Sequence, residues 1–253
     1  MYIKDEKISK LIEGKRIVLV GPSSHLFGKG MGDIIDDYDI VCRSNDFFPF
    51  NHERDFGSRT DIASVNFAFV SMVEYQYKYQ LEPERTKNIK LVMCPVVKSL
   101  GPDPWMSWKN DHVSEVVNSF NNMNTFNIPF SWVGVENYRY LYNLIGVEAN
   151  SGMMTLMILL QYDIREIFLT GFSFYHNGVS LEDCYYKNYI LKDLYTKEKY
   201  PYGNFNPGIS HNQGAQVKFL INNLLPLHKE KIKLDSYLNE LYNINHTNVE
   251  YIW

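Results

Sequence analysis

The stretch Arg16-Ile-Val-Leu-Val-Gly-Pro-Ser-Ser24 leaves the chain little choice of fold. Four apolar residues, Ile17 to Val20, run without a polar partner and stop at Gly21-Pro22. A short, continuous apolar run that ends on glycine is the pattern of a parallel strand buried on both faces and feeding a turn. Similar strand-like runs follow at Tyr38–Cys42, Ile62–Phe67, Asn88–Cys94, Ile167–Thr170 and Lys231–Leu234. Helical periodicity occupies Ser71–Tyr79, Asp111–Asn121, Tyr138–Leu144, Ser151–Tyr162 and Gln213–Leu224. Alternation of this kind predicts an α/β fold, a Rossmann-like parallel sheet with helices on both faces. With 253 residues, one domain spanning 1–253 is the simpler organisation. The segment Tyr175–Ser210 differs from the rest, being polar, Tyr-rich and broken by Gly178, Pro201, Gly203, Pro207 and Gly208. A long irregular segment inside a compact domain predicts a lid-like insertion.

Charge and cysteine content remove several function classes. The chain carries 25 basic and 29 acidic residues, evenly mixed, for a net charge of -4. No basic block exists to grip a nucleic-acid backbone, so no nucleic acid is expected as partner. Cys42, Cys94 and Cys184 lie far apart with no CxxC pair, against structural zinc and against a disulfide framework. Such usage suits a reducing compartment and predicts a cytoplasmic protein. The charged start, MYIKDEKISKLIEGK, has no apolar signal core. The most apolar stretch, Met153 to Leu160, is too short to span a bilayer, so no transmembrane segment is expected. Aromatic residues make up 15 % of the chain, with 19 Tyr and 15 Phe. They either line a polar ligand cleft or reflect a genome that favours their codons.

Three constellations carry chemistry. Glycines 21, 28, 30 and 32 follow the first strand and let the backbone approach a ligand, with amides available to a phosphate. The second strand delivers Arg43 and Asn45 at its end, which would make half of a nucleotide site at the carboxyl edge of the sheet. An ordinary glycine-rich turn is the competing reading of the same residues. Next, Asn150-Ser-Gly152 opens an apolar helix, where Asn or Ser caps the end and the amides beyond favour an anion. The strand that follows ends at Gly171-Phe172, and the two glycine-ended strands are expected side by side in one crevice. Ser151 is then either a cap or a ligand contact. Finally, His211 opens the helix that carries Val217, Leu220, Ile221 and Leu224. The positive helix end disfavours an imidazolium, so His211 is either a structural cap or a neutral base.

Taken together, these residues resemble the sialyltransferases. Gly21 to Asn45, followed by Asp55-Phe-Gly-Ser-Arg-Thr60, is similar to the large motif of the eukaryotic and viral-type family. Asn150-Ser-Gly-Met-Met and Leu169-Thr-Gly-Phe172 resemble its small motif, and His211 with Gln216 resembles its closing His-x4-Glu motif. The part from Ser151 to Leu224 also resembles the bacterial CMP-sialic-acid-dependent enzymes, through Thr170-Gly-Phe-Ser-Phe-Tyr-His-Asn-Gly178 and His211.

That resemblance implies an inverting glycosyltransferase that moves sialic acid or a related 2-keto sugar, Kdo included, from a CMP-sugar to a glycan hydroxyl. It implies no metal and no cofactor, since CMP is already a good leaving group. Other nucleotide-sugar transfer, or an inactive nucleotide-binding module, are the alternatives on the same scaffold. The donor would be held by Gly21, Ser23, Ser24, Asn45, Ser151, Gly152, Gly171 and Phe172. Tyr175, with Tyr185 or Tyr186, would support the departing phosphate, and His211 would take the acceptor proton. Departures from the family pattern also carry expectations. Pro22 and His25 stand where nucleotide-contacting Asn residues are usual, so Ser23, Ser24 or the His25 ring would supply that contact. Gln216 replaces the final Glu, whose duty would be done weakly or elsewhere. Ile17 fills the place of a family cysteine, as suits a chain without that disulfide.

Overall fold

A computed structural model describes residues 1–45, 48–49, 51–65, 83–95, 117–118, 120–122, 124–174 and 212–247. Seven strands form one sheet: β1 Arg16–Val20, β2 Ile40–Ser44, β3 Ile62–Ser64, β4 Leu91–Cys94, β5 Phe130–Trp132, β6 Glu166–Thr170 and β7 Ile232–Leu234. Their order is β5-β4-β3-β2-β1-β6-β7, and every pairing is parallel. The α/β parallel sheet expected from the sequence is therefore present.

Strand periodicity sorts the core. Ile17 and Leu19 point to one face, with Ile40, Cys42, Ile62, Leu91 and Met93. Val18 and Val20 point to the other, with Val41 and Phe168. The first face is covered by helix α1 (Glu6–Ile12) through Ile8 and Ile12, and by two later helices. The second carries α2 (Gly32–Asp36) and α3 (Glu53–Phe56) through Ile35 and Phe56. Further along come α4 (Pro83–Thr86), α5 (Val135–Ile145), α6 (Ser151–Leu159), α7 (Gln213–Phe219) and α8 (Ser236–Thr247). Every residue of α6 is buried, which is why its sequence is apolar all round rather than amphipathic. No helix among the described residues is long and apolar enough to cross a membrane.

Several boundaries differ from the periodicity. β2 starts at Ile40 rather than Tyr38, because Asp39 turns its carboxylate onto the Arg16 amide at 2.8 Å and Tyr38 stacks on Phe168 instead. Burial, with Glu166 nearby, pushes the Tyr38 hydroxyl up to about 12. β4 starts at Leu91 because Asn88 and Ile89 close a turn back onto Arg85 and Thr86. β5, α1 and α8 were not legible as elements. Of the helix expected at Asp111–Asn121, residues 117–118 and 120–121 are described and helical. The helix expected at Ser71–Tyr79 and the lid-like segment Tyr175–Ser210 lie outside the described residues.

Candidate active site

The chain runs outward from β1 to β5 on one side, then returns to lay β6 and β7 on the other. The direction of winding therefore reverses between β1 and β6, and a crevice at the carboxyl ends of strands is the general ligand site of such sheets. Here the two strand tips touch. Register pairs Val20 with Thr170, so Gly21 meets Gly171. The Gly21 amide donates to Thr170 O at 2.8 Å, and the Ser23 amide to Gly171 O at 2.9 Å. A Cβ on Gly21 would sit 2.4 Å from Gly171 O, and one on Gly171, whose φ is +75°, would sit 2.3 Å from Gly21 O. Only glycine fits on either side.

Helix α6 points its amino end into the same crevice. The Asn150 side chain caps it by accepting from the Met153 amide at 2.8 Å. Helix geometry leaves the Ser151 and Gly152 amides without an intrahelical acceptor, at the positive end of the dipole. Gly152 is required for packing as well, since a Cβ there would come within 2.2 Å of the Phe172 ring. Asn150 is tied to α7 from behind: its amide donates to Gln216 Oε1 at 3.0 Å and its side chain to Gln213 Oε1 at 3.3 Å. Gln216 is fully buried. Its amide oxygen thus supplies a buried acceptor that ties the start of α6 to α7.

Of the predicted donor residues, Ser23, Asn45, Ser151, Gly152, Gly171 and Phe172 line one cleft. Pro22, Ser44 and Asn150 complete one wall, and Ser173 with Phe174 another. Gly21 lies beneath the floor, packed on Gly171, and Ser24 turns away into the short helical turn Ser24–Leu26; neither is among the lining residues. His211, Tyr175, Tyr185 and Tyr186 lie outside the described residues. The described lining residues carry no charged side chain, so an anion there is met by amides, hydroxyls and the helix dipole. Asn45 and Phe174 hold φ of 65° and 50°, left-handed values that Asn tolerates and an aromatic residue seldom adopts. Strained backbone of this sort gathers at ligand sites.

Other expectations are corrected. The amides of Gly28 and Gly30 are not available to a phosphate, because the Asp55 carboxylate takes both at 2.8 Å. Burial would raise the Asp55 carboxyl, but these two amides outweigh it and hold it below the ordinary carboxylate range. Gly32 faces no ligand; a Cβ there would strike Glu53 O at 2.2 Å, so it lets α2 pack on α3. Arg43 makes no half of a nucleotide site. It is wholly buried and donates to Arg59 O, Thr60 Oγ1 and Gly57 O, so the Gly57-Ser-Arg-Thr60 tail serves as its cradle. The His25 ring is not turned to the cleft as a free contact either. Its Nδ1 lies 3.1 Å from Ser23 Oγ and its Nε2 3.0 Å from Asp235 Oδ2, and it stacks on Tyr237.

Asp235 escaped the sequence reading. Its Oδ1 caps α8 by accepting from the Leu238 amide at 2.9 Å, while Oδ2 accepts from Thr170 Oγ1 and the Gly171 amide at 2.8 and 3.1 Å. One carboxylate therefore fastens α8, the β6 tip and His25 together. An Asp just before a Ser-opened amphipathic run is an N-cap signal that could have found the helix, though not the contact to Gly171.

Comparison with known proteins agrees with this fold. Residues 6–103, which hold α1 to β4, match the model of glycosyltransferase family 29 (sialyltransferase). No curated protein matches the chain in sequence. Among solved structures, the monofunctional alpha-2,3-sialyltransferase Cst-I from Campylobacter jejuni superposes with a TM-score of 0.59 at 20 % identity, covering 96 % of this chain and 81 % of that one. An alpha-2,3-sialyltransferase from the same organism in apo form gives 0.58 at 18 % identity, covering 92 % and 82 %. The Campylobacter jejuni sialyltransferase CST-II, in complex with a trisaccharide acceptor and CMP, gives 0.53 at 17 % identity, covering 87 % and 80 %. Residues 6–103 thus match the model of a sialyltransferase family, and the chain shares the fold of these solved sialyltransferases.

Proposed function

We propose that the chain is an inverting, metal-independent glycosyltransferase that moves sialic acid or a related 2-keto sugar from CMP to a glycan hydroxyl. One observation carries the reading: the tips of β1 and β6 meet glycine to glycine while α6 aims its open amides into the same cleft. CMP fits this chemistry, with a phosphate for the Ser151–Gly152 amides and a nucleoside for the hydroxyl- and amide-bearing wall of Ser23 and Asn45. A relative of the same fold binds CMP with an acceptor trisaccharide, which supports donor and acceptor sharing one cleft here.

Bond cleavage builds positive charge on the anomeric carbon and negative charge on the leaving phosphate, and fixed dipoles at a helix start stabilise the second. By resemblance, Tyr175 with Tyr185 or Tyr186 adds hydroxyl donors to that phosphate. His211 removes the acceptor proton, a role typically worth about 10²–10⁴-fold. Two and five residues after it, Gln213 and Gln216 bond to Asn150 at the cleft, which supports a base entering from this side. A closing segment at Tyr175–Ser210 would exclude water, which otherwise competes as acceptor. Reaction in the cytoplasm is part of the same proposal.

Incubation with CMP-N-acetylneuraminic acid or CMP-Kdo and a mixed acceptor set, read by mass spectrometry, tests the reading. Transfer to an acceptor is the expected result, and the productive donor names the sugar. Absence of binding by any CMP compound at millimolar concentration would overturn it. His211→Ala is expected to abolish transfer while CMP still binds; retained turnover would remove His211 from the mechanism.

A further inference from the structure

The Ser23–His25–Asp235 chain has a consequence that goes deeper than the donor reading on which it rests. Asp235 Oδ2 accepts from Thr170 Oγ1, from the Gly171 amide and from His25, and Oδ1 accepts from the Leu238 amide. An oxygen that receives two donors besides the ring has no room for a proton of its own. Burial alone would raise this carboxyl, but the His25 and Leu238 hydrogen bonds outweigh it and keep it below the ordinary range. His25 Nε2 must then carry the ring proton and donate it to Asp235. In the neutral ring Nδ1 is bare, and its neighbour at 3.1 Å is the Ser23 hydroxyl. A neutral ring takes the proton of that hydroxyl at Nδ1 and leaves only its lone pairs for the cleft that Ser23 lines, whereas a doubly protonated ring would donate to it.

We propose that the His25 ring carries its single proton on Nε2 and is a positioning residue that fixes Ser23 Oγ as a hydrogen-bond acceptor, so that the β1 tip selects a donor group of the ligand. A phosphate or carboxylate oxygen carries no proton near neutrality and is refused there. A ribose hydroxyl or the exocyclic amine of the base is accepted. The nucleoside thus lies against Ser23, and the phosphate lies toward the α6 amides. The ring is well placed for a fixed role: its side chain is 13 % exposed, Asp235 is 5 % exposed, and Tyr237 stacks on it with ring centres 4.4 Å apart. Glycine at 171 completes the device, since its amide helps hold the carboxylate while its carbonyl holds the Ser23 amide.

Calorimetry of the full chain with CMP, 2′-deoxy-CMP, 3′-deoxy-CMP and the ribotide lacking the exocyclic amine tests this. Wild type is expected to lose about tenfold in affinity for one of the three analogues, which names the group that Ser23 reads. His25→Phe keeps the stack on Tyr237 but has no nitrogen, so the hydroxyl is free to turn and the penalty is expected to shrink below about threefold. Ser23→Ala is expected to remove it. A uniform loss for all four ligands in His25→Phe, with the penalty intact, would overturn the inference while leaving the donor reading standing. Failure of wild type to bind CMP would overturn both. Should His25→Phe fail to fold, long-range proton–nitrogen correlation on labelled wild type decides the point without ligand: a ring protonated on Nε2 alone supports it, and one protonated on Nδ1, alone or together with Nε2, contradicts it.

Discussion

Two glycine clusters lie near the carboxyl end of β1, and they do opposite things. In the turn after it, Gly28 and Gly30 adopt φ of +74° and +63°, open space surrounds where a Cβ would stand, and Asp55 occupies both amides. Around the cleft, a Cβ on Gly21, Gly152 or Gly171 would come within 2.4 Å of backbone or the Phe172 ring, while helix geometry leaves the first amides of α6 without an intrahelical acceptor. Both clusters look like phosphate loops in a linear reading. The difference teaches that a glycine-rich turn is a ligand site only where its donors are left without a protein partner, and a nearby carboxylate decides that.

Substitution sharpens the contrast. Gly171→Ala combines a left-handed φ with a clash against Gly21 O and is expected to destabilise the fold by about 4 kcal/mol, whereas Gly28→Ala meets only the φ term, about 1 kcal/mol. Equal shifts of the urea midpoint in the two variants would break the comparison. The carboxylates that fasten the two turns differ in the same sense. Asp235→Ala is expected to cost about 3 kcal/mol by removing a helix cap and stranding buried donors at the β6 tip. Asp55→Ala, whose bonds are solvent-exposed, is expected to cost about 1 kcal/mol in the same denaturation series.

Acid gives a related test. Both carboxyls are held below the ordinary range in the folded chain. Their contribution is therefore complete above the unfolded value of about 4 and is lost as the pH falls through the folded values. The melting temperature of wild type should drop below pH 4 more steeply than that of Asp235→Asn, and parallel curves would contradict the assignment. A further contrast is in binding. Ser151→Pro, which removes one of the α6 amides at a first helical position that tolerates proline, should weaken CMP about tenfold, while Gly28→Ala and Asp55→Ala leave the affinity within about twofold. A loss of CMP binding in Asp55→Ala would return the Gly28–Gly30 turn to the site.

How much of this was legible follows from what kind of force sets each feature. β1 and β6 were read almost to the residue because a strand buried on both faces must be apolar throughout. The pairing of Gly21 with Gly171 followed from alternation and parallel winding. By contrast α1 and β5 were missed. α1 turns only Ile8 and Ile12 into the core, and β5 is three residues long, held at its neighbour Asp5 by Ser131. Local pattern was too thin in both. The roles of Arg43, Asp55 and Asp235 were also illegible, because each joins elements that lie apart in sequence. A charged residue beside a ligand motif looks the same on the page whether it faces ligand or backbone. Gln216 is the instructive case, since a residue singled out beside the expected base is buried and accepts from the Asn150 amide.

The central claim is that CMP lies at the winding reversal between β1 and β6 and not at the turn that follows β1. A crystal structure of the chain soaked with CMP tests it most directly. The account predicts phosphate density within hydrogen-bond distance of the Ser151 and Gly152 amides, with the nucleoside against Ser23. Density beside Gly28 and Gly30, or a cleft between Gly21 and Gly171 left empty while CMP binds elsewhere, would contradict it.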